Sequence, residues 1–304
     1  MSILVVGSVA LDSVETPFGK ADDALGGSAT FFSASASYFS PINVVGVVGS
    51  DFPHNELEFL KTRNVSLDGI KTEEGKTFRW GGKYHVDMNQ RDTLFTALNV
   101  FEHFKPVIPG QYKNSEYVFL GNIAPTLQLD VLAQIDNPKL VALDTMNFWI
   151  SGMKESLVEV IKKVDIILIN DQEAKELTDK TNLVQAANAI FELGPQVVVI
   201  KKGEHGALLF TKQGIFSAPA LPMETVCDPT GAGDSFAGGF IGYLAHNDVL
   251  KNGVLDESVL RKAMIYGSVM ASFSIEDFSL EKLKDLSSEE ISNRYIQFVE
   301  LASF

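Results

Sequence analysis

The stretch Thr225 to Phe240, TVCDPTGAGDSFAGGF, places a carboxylate, Asp234, directly after Gly-Ala-Gly and ahead of a run of small and apolar residues. Gly231 and Gly233, with Ala232 between them, allow backbone N–H groups to converge where a helix begins. The helix dipole favours negative charge at the same point. The pattern describes an anion pocket with an acid at its edge. One explanation of the acid is structural: Asp234 caps the helix or sits in its first turn. The other is chemical. A carboxylate beside a bound phosphate can take the proton of a hydroxyl attacking phosphorus, and because phosphoryl transfer needs mainly alignment and charge stabilisation, a weak base suffices.

Such a loop must be carried by elements that hold it still. Short, β-branched, unalternated runs recur along the chain: ILVVG near the start, NVVGVVG at 43–49, YVFLGN at 117–122, LVALD at 140–144, DIILIN at 165–170 and QVVVIKKG at 196–203. These read as strands buried on both faces of a parallel sheet. Between them TLQLDVLAQI, SLVEVIKKV and DQEAKELTDK repeat apolar residues at three and four, as helices do. The pattern predicts βαβ units throughout, with PMETVCD ending a strand and DSFAGGFIGYLAHN forming a helix. In open sheets of this kind ligands bind beyond the carboxyl ends of the strands, where a loop feeds a helix. Two segments, about 13–25 and 75–98, alternate polar and aromatic residues and read as a small β lid or an ordinary surface hairpin. No repeat or linker divides residues 1–304, so one domain is expected.

Composition excludes several classes. A net charge of −14 repels a nucleic-acid backbone, although local amides can still bind a small anion. The single cysteine, Cys227, forbids an internal disulfide, and the five histidines (His54, His85, His103, His205, His246) lack zinc spacing. No window reaches the ~20 apolar residues of a membrane span and no basic leader precedes the first strand, so a soluble, cytoplasmic protein is expected. EGKT at 74–77 lacks the earlier glycine of a P-loop, position 70 being Ile, and no GxGxxG follows a strand.

With these residues in view, the chain resembles the ribokinase, or PfkB-type, family of carbohydrate and nucleoside kinases. The family's second signature stands here as DPTGAGDSFAGGF, with Pro229 at a variable position, and VVGSVALD, GGSATFFSA, NDQE and IKKGEHGALLF follow the family order. The resemblance implies a ribokinase-like three-layer α/β/α fold with a mostly parallel sheet and a β lid, an ATP-dependent kinase of a sugar hydroxyl, or alternatively a nucleoside kinase, and a remote third case, a non-catalytic sensor. It implies Asp234 as base, Gly231, Ala232 and Gly233 as the anion hole, and Asp12 with Gly26, Gly27 and Phe31 at the acceptor. Asn170 and Glu173 match a motif that places hydrated Mg²⁺ and phosphates. Lys201, Lys202, Gly203, Gly206, Gly267 and Ser268 fall on the nucleotide side, and Asp228 and Thr230 where related enzymes bind a monovalent cation such as K⁺. Ordinary roles stay open for several: a cap for Asp12, a capping box for Asn170 and Glu173, a solvated strand end for the lysines, helix packing for Gly267. Ribokinases proper often carry Asn where this chain has Ala10 and Phe31. Those losses put ribose in doubt and keep nucleosides open: with Phe31, the lid aromatics Phe78, Trp80 and Tyr84 could stack on a base or contact a less hydroxylated substrate, or else form lid core or a dimer contact. Exposed lid strands suggest a homodimer through the lid.

Overall fold

The computed structural model describes residues 1–251 and 253–303, the side chain of Lys251 excepted. In chain order the opening elements are β1 (Ile3–Val6), β2 (Ala10–Thr16), β3 (Gly19–Gly26), α1 (Ser28–Ala36), β4 (Ile42–Gly49), α2 (Glu58–Lys61), β5 (Val65–Glu73), β6 (Phe78–Tyr84) and β7 (Arg91–Ala97). Then come β8 (Tyr117–Leu120), α3 (Pro125–Leu132), β9 (Leu140–Asp144), α4 (Asn147–Gly152), α5 (Lys154–Ile161), β10 (Ile166–Asn170), α6 (Asp171–Thr178), α7 (Leu183–Phe191) and β11 (Val197–Lys201). The chain continues with β12 (Ala207–Thr211), β13 (Gly214–Ala218), α8 (Ala232–His246), β14 (Leu250–Lys251), β15 (Val254–Leu255), α9 (Glu257–Ser274), α10 (Glu281–Lys284) and α11 (Ser288–Ala302).

The large sheet has nine strands in the order β13-β12-β11-β10-β9-β8-β1-β4-β5. From β11 to β5 all neighbours are parallel, whereas β12 and β13 add antiparallel hairpins at one edge. The prediction of βαβ units throughout therefore fails after β11. Lys202 to Gly206 makes a tight turn too short for a crossover helix, and a two-residue link leaves β13 no choice but to pair antiparallel. PMETVCD also ends no strand: β13 stops at Ala218, Pro219 and Pro222 follow, and the segment runs irregularly with its Cys227 amide bonded to the Ile275 carbonyl at 2.8 Å. The remaining predicted strands lie within a residue or two of their places.

Alternate residues of each strand bury on opposite faces. Ile3 and Val5 join one apolar cluster with α1, α8, α9, α10 and α11, while Leu4 and Val6 join another with α3, α4, α5, α6 and α7. The result is a three-layer α/β/α body. Because β1 lies between β4 and β8, third from the β5 edge, the strand order reverses direction beside it, and the crevice beyond the carboxyl ends of β1 and β8 is where such sheets bind ligands.

A second sheet, β3-β2-β6-β7, stands apart from the body. The two segments expected as a lid supply all four of its strands, and β2 starts earlier than expected, at Ala10. The pairing of β2 with β6 is parallel and sets Asp12 beside Trp80. Neighbouring residues in register share a face, so both belong to the same surface of this sheet.

Candidate active site

Gly231 caps α8 at φ +73°, and a Cβ there would overlap the ring of Phe31. Only glycine meets both demands, since other residues pay for the left-handed region and none could share space with the ring. The turn leaves the amides of Gly231 and Gly233 without an acceptor among the described residues, at the positive end of a 15-residue helix. Asp234 is half-buried in the first turn of that helix. Burial, then the nearby Asp144 carboxylate, push its carboxyl up to about 7, while Lys201 and Arg91 pull it back.

Lys201 ends β11 and gives the ammonium to the Asp144 Oδ2 at 3.0 Å. Its Nζ stands 3.1 Å from where a methyl on Gly233 would be, so the cation adjoins the anion loop. Burial works against this charge, and Asp144, Glu173 and Asp234 overcome it and raise the ammonium above its ordinary value. Asp144 ends β9 at the carboxyl edge of the sheet and its Oδ1 accepts the Thr145 amide at 2.7 Å.

Asn170 and Glu173 form the capping box that opens α6: the Asn170 side chain accepts the Glu173 amide at 2.8 Å, and the Asn170 amide donates to Glu173 Oε2 at 2.8 Å. The capping role is real, and it also positions the acid. Glu173 is buried, and desolvation followed by Asp144 pushes it up to about 7. Its Oε1 takes no hydrogen bond from the described residues. Lys202 is half-buried at the start of the Gly203–His205 turn, whose Gly203 touches Asn89 of the lid. Gly206 packs against the Ala218 carbonyl of β13.

Across the crevice, Asp12 on β2 lies against Gly26, where a side chain would overlap its carboxylate, and takes a hydrogen bond from the Gly27 amide. Burial, then Asp228, push Asp12 up to about 7, with Asp234 adding to the effect. Asp12, Phe31, Asp228 and Thr230 line one narrow crevice together with Ser279. The Phe31 ring is nearly all buried beneath Gly231, so it supports the loop as well as edging the crevice. Buried Asp228 accepts the Thr230 amide at 2.8 Å and the Ser279 amide at 3.3 Å, and burial raises its carboxyl above the ordinary range.

Two of the expected residues sit on a packed helix. Gly267 and Ser268 are buried on α9, with Gly267 packed on Phe236 where α9 crosses α8. Helix packing accounts for this glycine, and the same small-residue composition had suggested room for a flat ring. The lid aromatics separate into different roles. Phe78 stacks on Phe101 at the hinge, and Tyr84 receives the Thr230 hydroxyl at 3.2 Å. Trp80 lies across Gly82 with the Arg91 guanidinium 5.1 Å above its ring.

Sequence reasoning missed Asp144 and Arg91. Asp144 had a usable signal, the last residue of a buried strand at the carboxyl edge. Arg91 had none, being one polar residue in an alternating lid strand.

Residues 22–283 match the pfkB family carbohydrate kinase domain. The chain belongs to that family. As a kinase of this family it is 30% identical over 249 residues to a cytidine kinase of Thermococcus kodakarensis, covering 79% of this chain and 87% of the relative. It is 24% identical over 242 residues to a nucleoside kinase of Methanocaldococcus jannaschii, covering 77% of this chain and 72% of the other. In structure the kinase fold superposes on that nucleoside kinase with a TM-score of 0.75 at 20% identity, covering 97% and 98% of the two chains. It superposes equally, at 0.75 and 19% identity, on a Burkholderia thailandensis nucleoside kinase in complex with inosine, covering 98% and 99%. At these identities the structural likeness speaks for the fold.

Among the described residues no group of three or more His, Cys, Asp or Glu is arranged to ligate a metal directly, and no helix is long and apolar enough to cross a membrane.

Proposed function

We propose that this kinase transfers the γ-phosphoryl group of ATP to a sugar hydroxyl of a nucleoside. The observation that carries the reading is Asp234, raised to about 7 beside the open amides of Gly231 and Gly233 and within electrostatic reach of Asp12 on the lid. Asp12 orients the acceptor by accepting hydrogen bonds from its hydroxyls. The attacking hydroxyl gives its proton to Asp234, the new O–P bond forms as the bond from phosphorus to the β–γ bridging oxygen breaks, and the electron pair leaves with ADP. The loop amides and Lys201 bear the charge that develops on the phosphoryl oxygens. A positioned base of this kind contributes ~10²–10⁴ in rate.

Mg²⁺ fits the donor set: the unbonded Oε1 of Glu173 and the neighbouring Asn170 and Asp144 oxygens suit an ion that keeps several waters and leans on phosphates. When bound it supplies charge neutralisation between the phosphates. Asp228 and Thr230, tied to each other and to Ser279, are where a monovalent cation such as K⁺ would reinforce the loop.

A nucleoside rather than a free sugar is favoured by Ala10 and Phe31, which offer no hydrogen bonds from their side chains, by the indole of Trp80 on the acceptor face of the lid, and by the nucleoside-acting relatives. Free sugars are the second reading, supported by the family as a whole. An ADP-release screen over nucleosides and free sugars, with Asp234→Asn as the blank, separates them. Cytidine or another nucleoside should turn over at least tenfold faster than any free sugar, and a sugar in first place would replace this reading with the second. A homodimer through the lid, in a cytoplasmic setting, is supported by Phe18, Leu94 and Phe95, which are exposed on lid strands or turns. Light scattering that finds a monomer at working concentration would remove that element.

A further inference from the structure

The second lid hairpin crosses the crevice from one bank to the other, and three contacts mark its course. Trp80 on β6 stands in register with Asp12 at the acceptor end. Further along β6, Tyr84 takes the hydroxyl of Thr230, the residue before Gly231, at 3.2 Å. At the tip Asn89 meets the Lys202–Gly206 turn, which follows Lys201 directly. Its Nδ2 donates to Glu204 Oε1 at 3.3 Å, and its Oδ1 lies 2.9 Å from where a Cβ on Gly203 would stand. Phosphates held by the Gly231 and Gly233 amides and by Lys201 therefore lie under the hairpin, between its second contact and its third.

Both surfaces are ordered before they meet. In the tip, Asp87 Oδ1 accepts the Asn89 amide at 3.0 Å and Asn89 Nδ2 at 3.2 Å, and Asp87 Oδ2 accepts Gln90 Nε2 at 2.9 Å. In the turn, the Lys202 amide donates to the Gly206 carbonyl at 2.8 Å, and Gly206 packs on the Ala218 carbonyl of β13. Gly203 sits at φ +55°, and among the described residues Asn89 alone, chain neighbours aside, comes within 4 Å of where its Cβ would be. A contact between two preorganised turns costs little ordering each time it forms. Its chemistry is also particular. Asn89 sets one neutral amide between two carboxylates, Asp87 of the lid and Glu204 of the body, with His205 3.8 Å from Glu204. In a chain of −14 net charge the two walls would otherwise approach acid to acid.

We propose that Asn89 is a positioning residue, a latch that fastens the lid to the turn after Lys201, so that the lid roofs the nucleotide as well as the acceptor. The inference rests on the phosphotransferase reading. With the latch made, a nucleotide whose phosphates lie at the anion loop leaves only after the hairpin lifts, and an acceptor that holds the lid down holds the nucleotide in. By linkage each ligand tightens the other by the same factor. Asn89 takes no part in the chemistry; the proton still goes to Asp234 and the electron pair to ADP.

The test follows release of N-methylanthraniloyl-ADP, chased with unlabelled ADP in stopped flow, without acceptor and with saturating amounts of the best acceptor from the screen. In wild type the acceptor should slow release at least fivefold. In Asn89→Ala that slowing should shrink at least threefold, about the effect of one amide–carboxylate hydrogen bond at an exposed site. Asn89→Asp sets a third carboxylate against Asp87 and Glu204 and should abolish the slowing. Adding Glu204→Gln to it reverses donor and acceptor across the contact and should return at least half of the wild-type slowing. Release without acceptor should stay within twofold of wild type in every variant. A smaller slowing in wild type, a smaller loss in Asn89→Ala, slowing retained in Asn89→Asp or a smaller recovery in the paired variant overturns the latch. So does a larger change without acceptor, which would place Asn89 in the nucleotide site itself. Wild type phosphorylating no nucleoside and no free sugar overturns the parent reading instead.

Discussion

The two halves of the site are built in opposite ways. On the body, Lys201, Asp144, Asn170 and Glu173 terminate adjacent parallel strands or the helix that follows, and each is bonded to a neighbour at 3.0 Å or less. On the lid, Trp80, Tyr84 and Arg91 belong to a sheet whose polar contacts with the body include Tyr84 with Thr230, Asn89 with Glu204, the Ser279 hydroxyl with the Leu25 carbonyl, and a hinge at which Asp51 accepts from Thr77 and Arg79. The body half is preorganised, with its charges fixed before any ligand arrives, and cost-free reorganisation is what electrostatic catalysis requires. The lid half has bonds few enough to break at each turnover. Chemistry that needs water excluded divides in this way: charge is held by the rigid wall and access is governed by the movable one.

The largest way to break the body half is to remove its base. Asp234→Asn should lower kcat by at least ~10³-fold and leave the ATP dissociation constant within threefold. A coupled turnover assay beside calorimetric titration reads both, and turnover near wild type would end the assignment. Gly231→Ala comes next, because the alanine must occupy φ +73° and overlap Phe31. A loss of about 3 kcal/mol is expected from the left-handed backbone and the overpacking together, visible in denaturant unfolding, with activity falling in parallel. An unchanged midpoint would mean that the loop is not held as described.

The pH response sharpens the contrast between wall and lid. Asp12 and Asp234 are both raised to about 7, so kcat/KM should fall as pH drops below about 7, where the base is protonated. The stability sign is opposite. The folded enzyme retains protons that ordinary carboxylates of the unfolded chain release near 3.8, so this contribution is complete below that pH and is lost as pH rises through about 7. The ligand-free melting temperature of wild type should therefore decline from pH 5 to 8 more steeply than that of the Asp12→Asn, Asp234→Asn double variant. Parallel curves would show that neither acid is perturbed. The smallest effect belongs to the lid contact. Tyr84→Phe removes one neutral hydrogen bond, about 1 kcal/mol, and should raise acceptor KM about fivefold or less with the melting temperature nearly unchanged. An altered melting temperature with normal KM would place Tyr84 in the fold and not in closure.

The local order of residues sufficed for a good deal of this. Unalternated β-branched runs specify strands covered on both faces, so the parallel body was legible from periodicity. Gly-Ala-Gly-Asp before a small-residue run specifies a helix start with open amides, because glycine relieves the backbone and the dipole does the rest. The failures came where the same local signals have two outcomes. PMETVCD reads as a strand, but Pro219 precedes it, Pro222 opens it, and the segment runs irregularly past the open edge of β13. Small residues at Gly267 serve helix crossing as readily as ligand room. What the tertiary structure alone decided is which distant residues meet. Asp144 is joined to Lys201 across two strand positions in the sheet, and the charge of Arg91 acts on Asp12, Asp234 and Glu173 only because β6 and β7 pair and bring it within range. A local pattern can state the conformation of its own residues, whereas the field at a carboxylate depends on charges brought near by chain closure, and those distances exist only in the folded molecule.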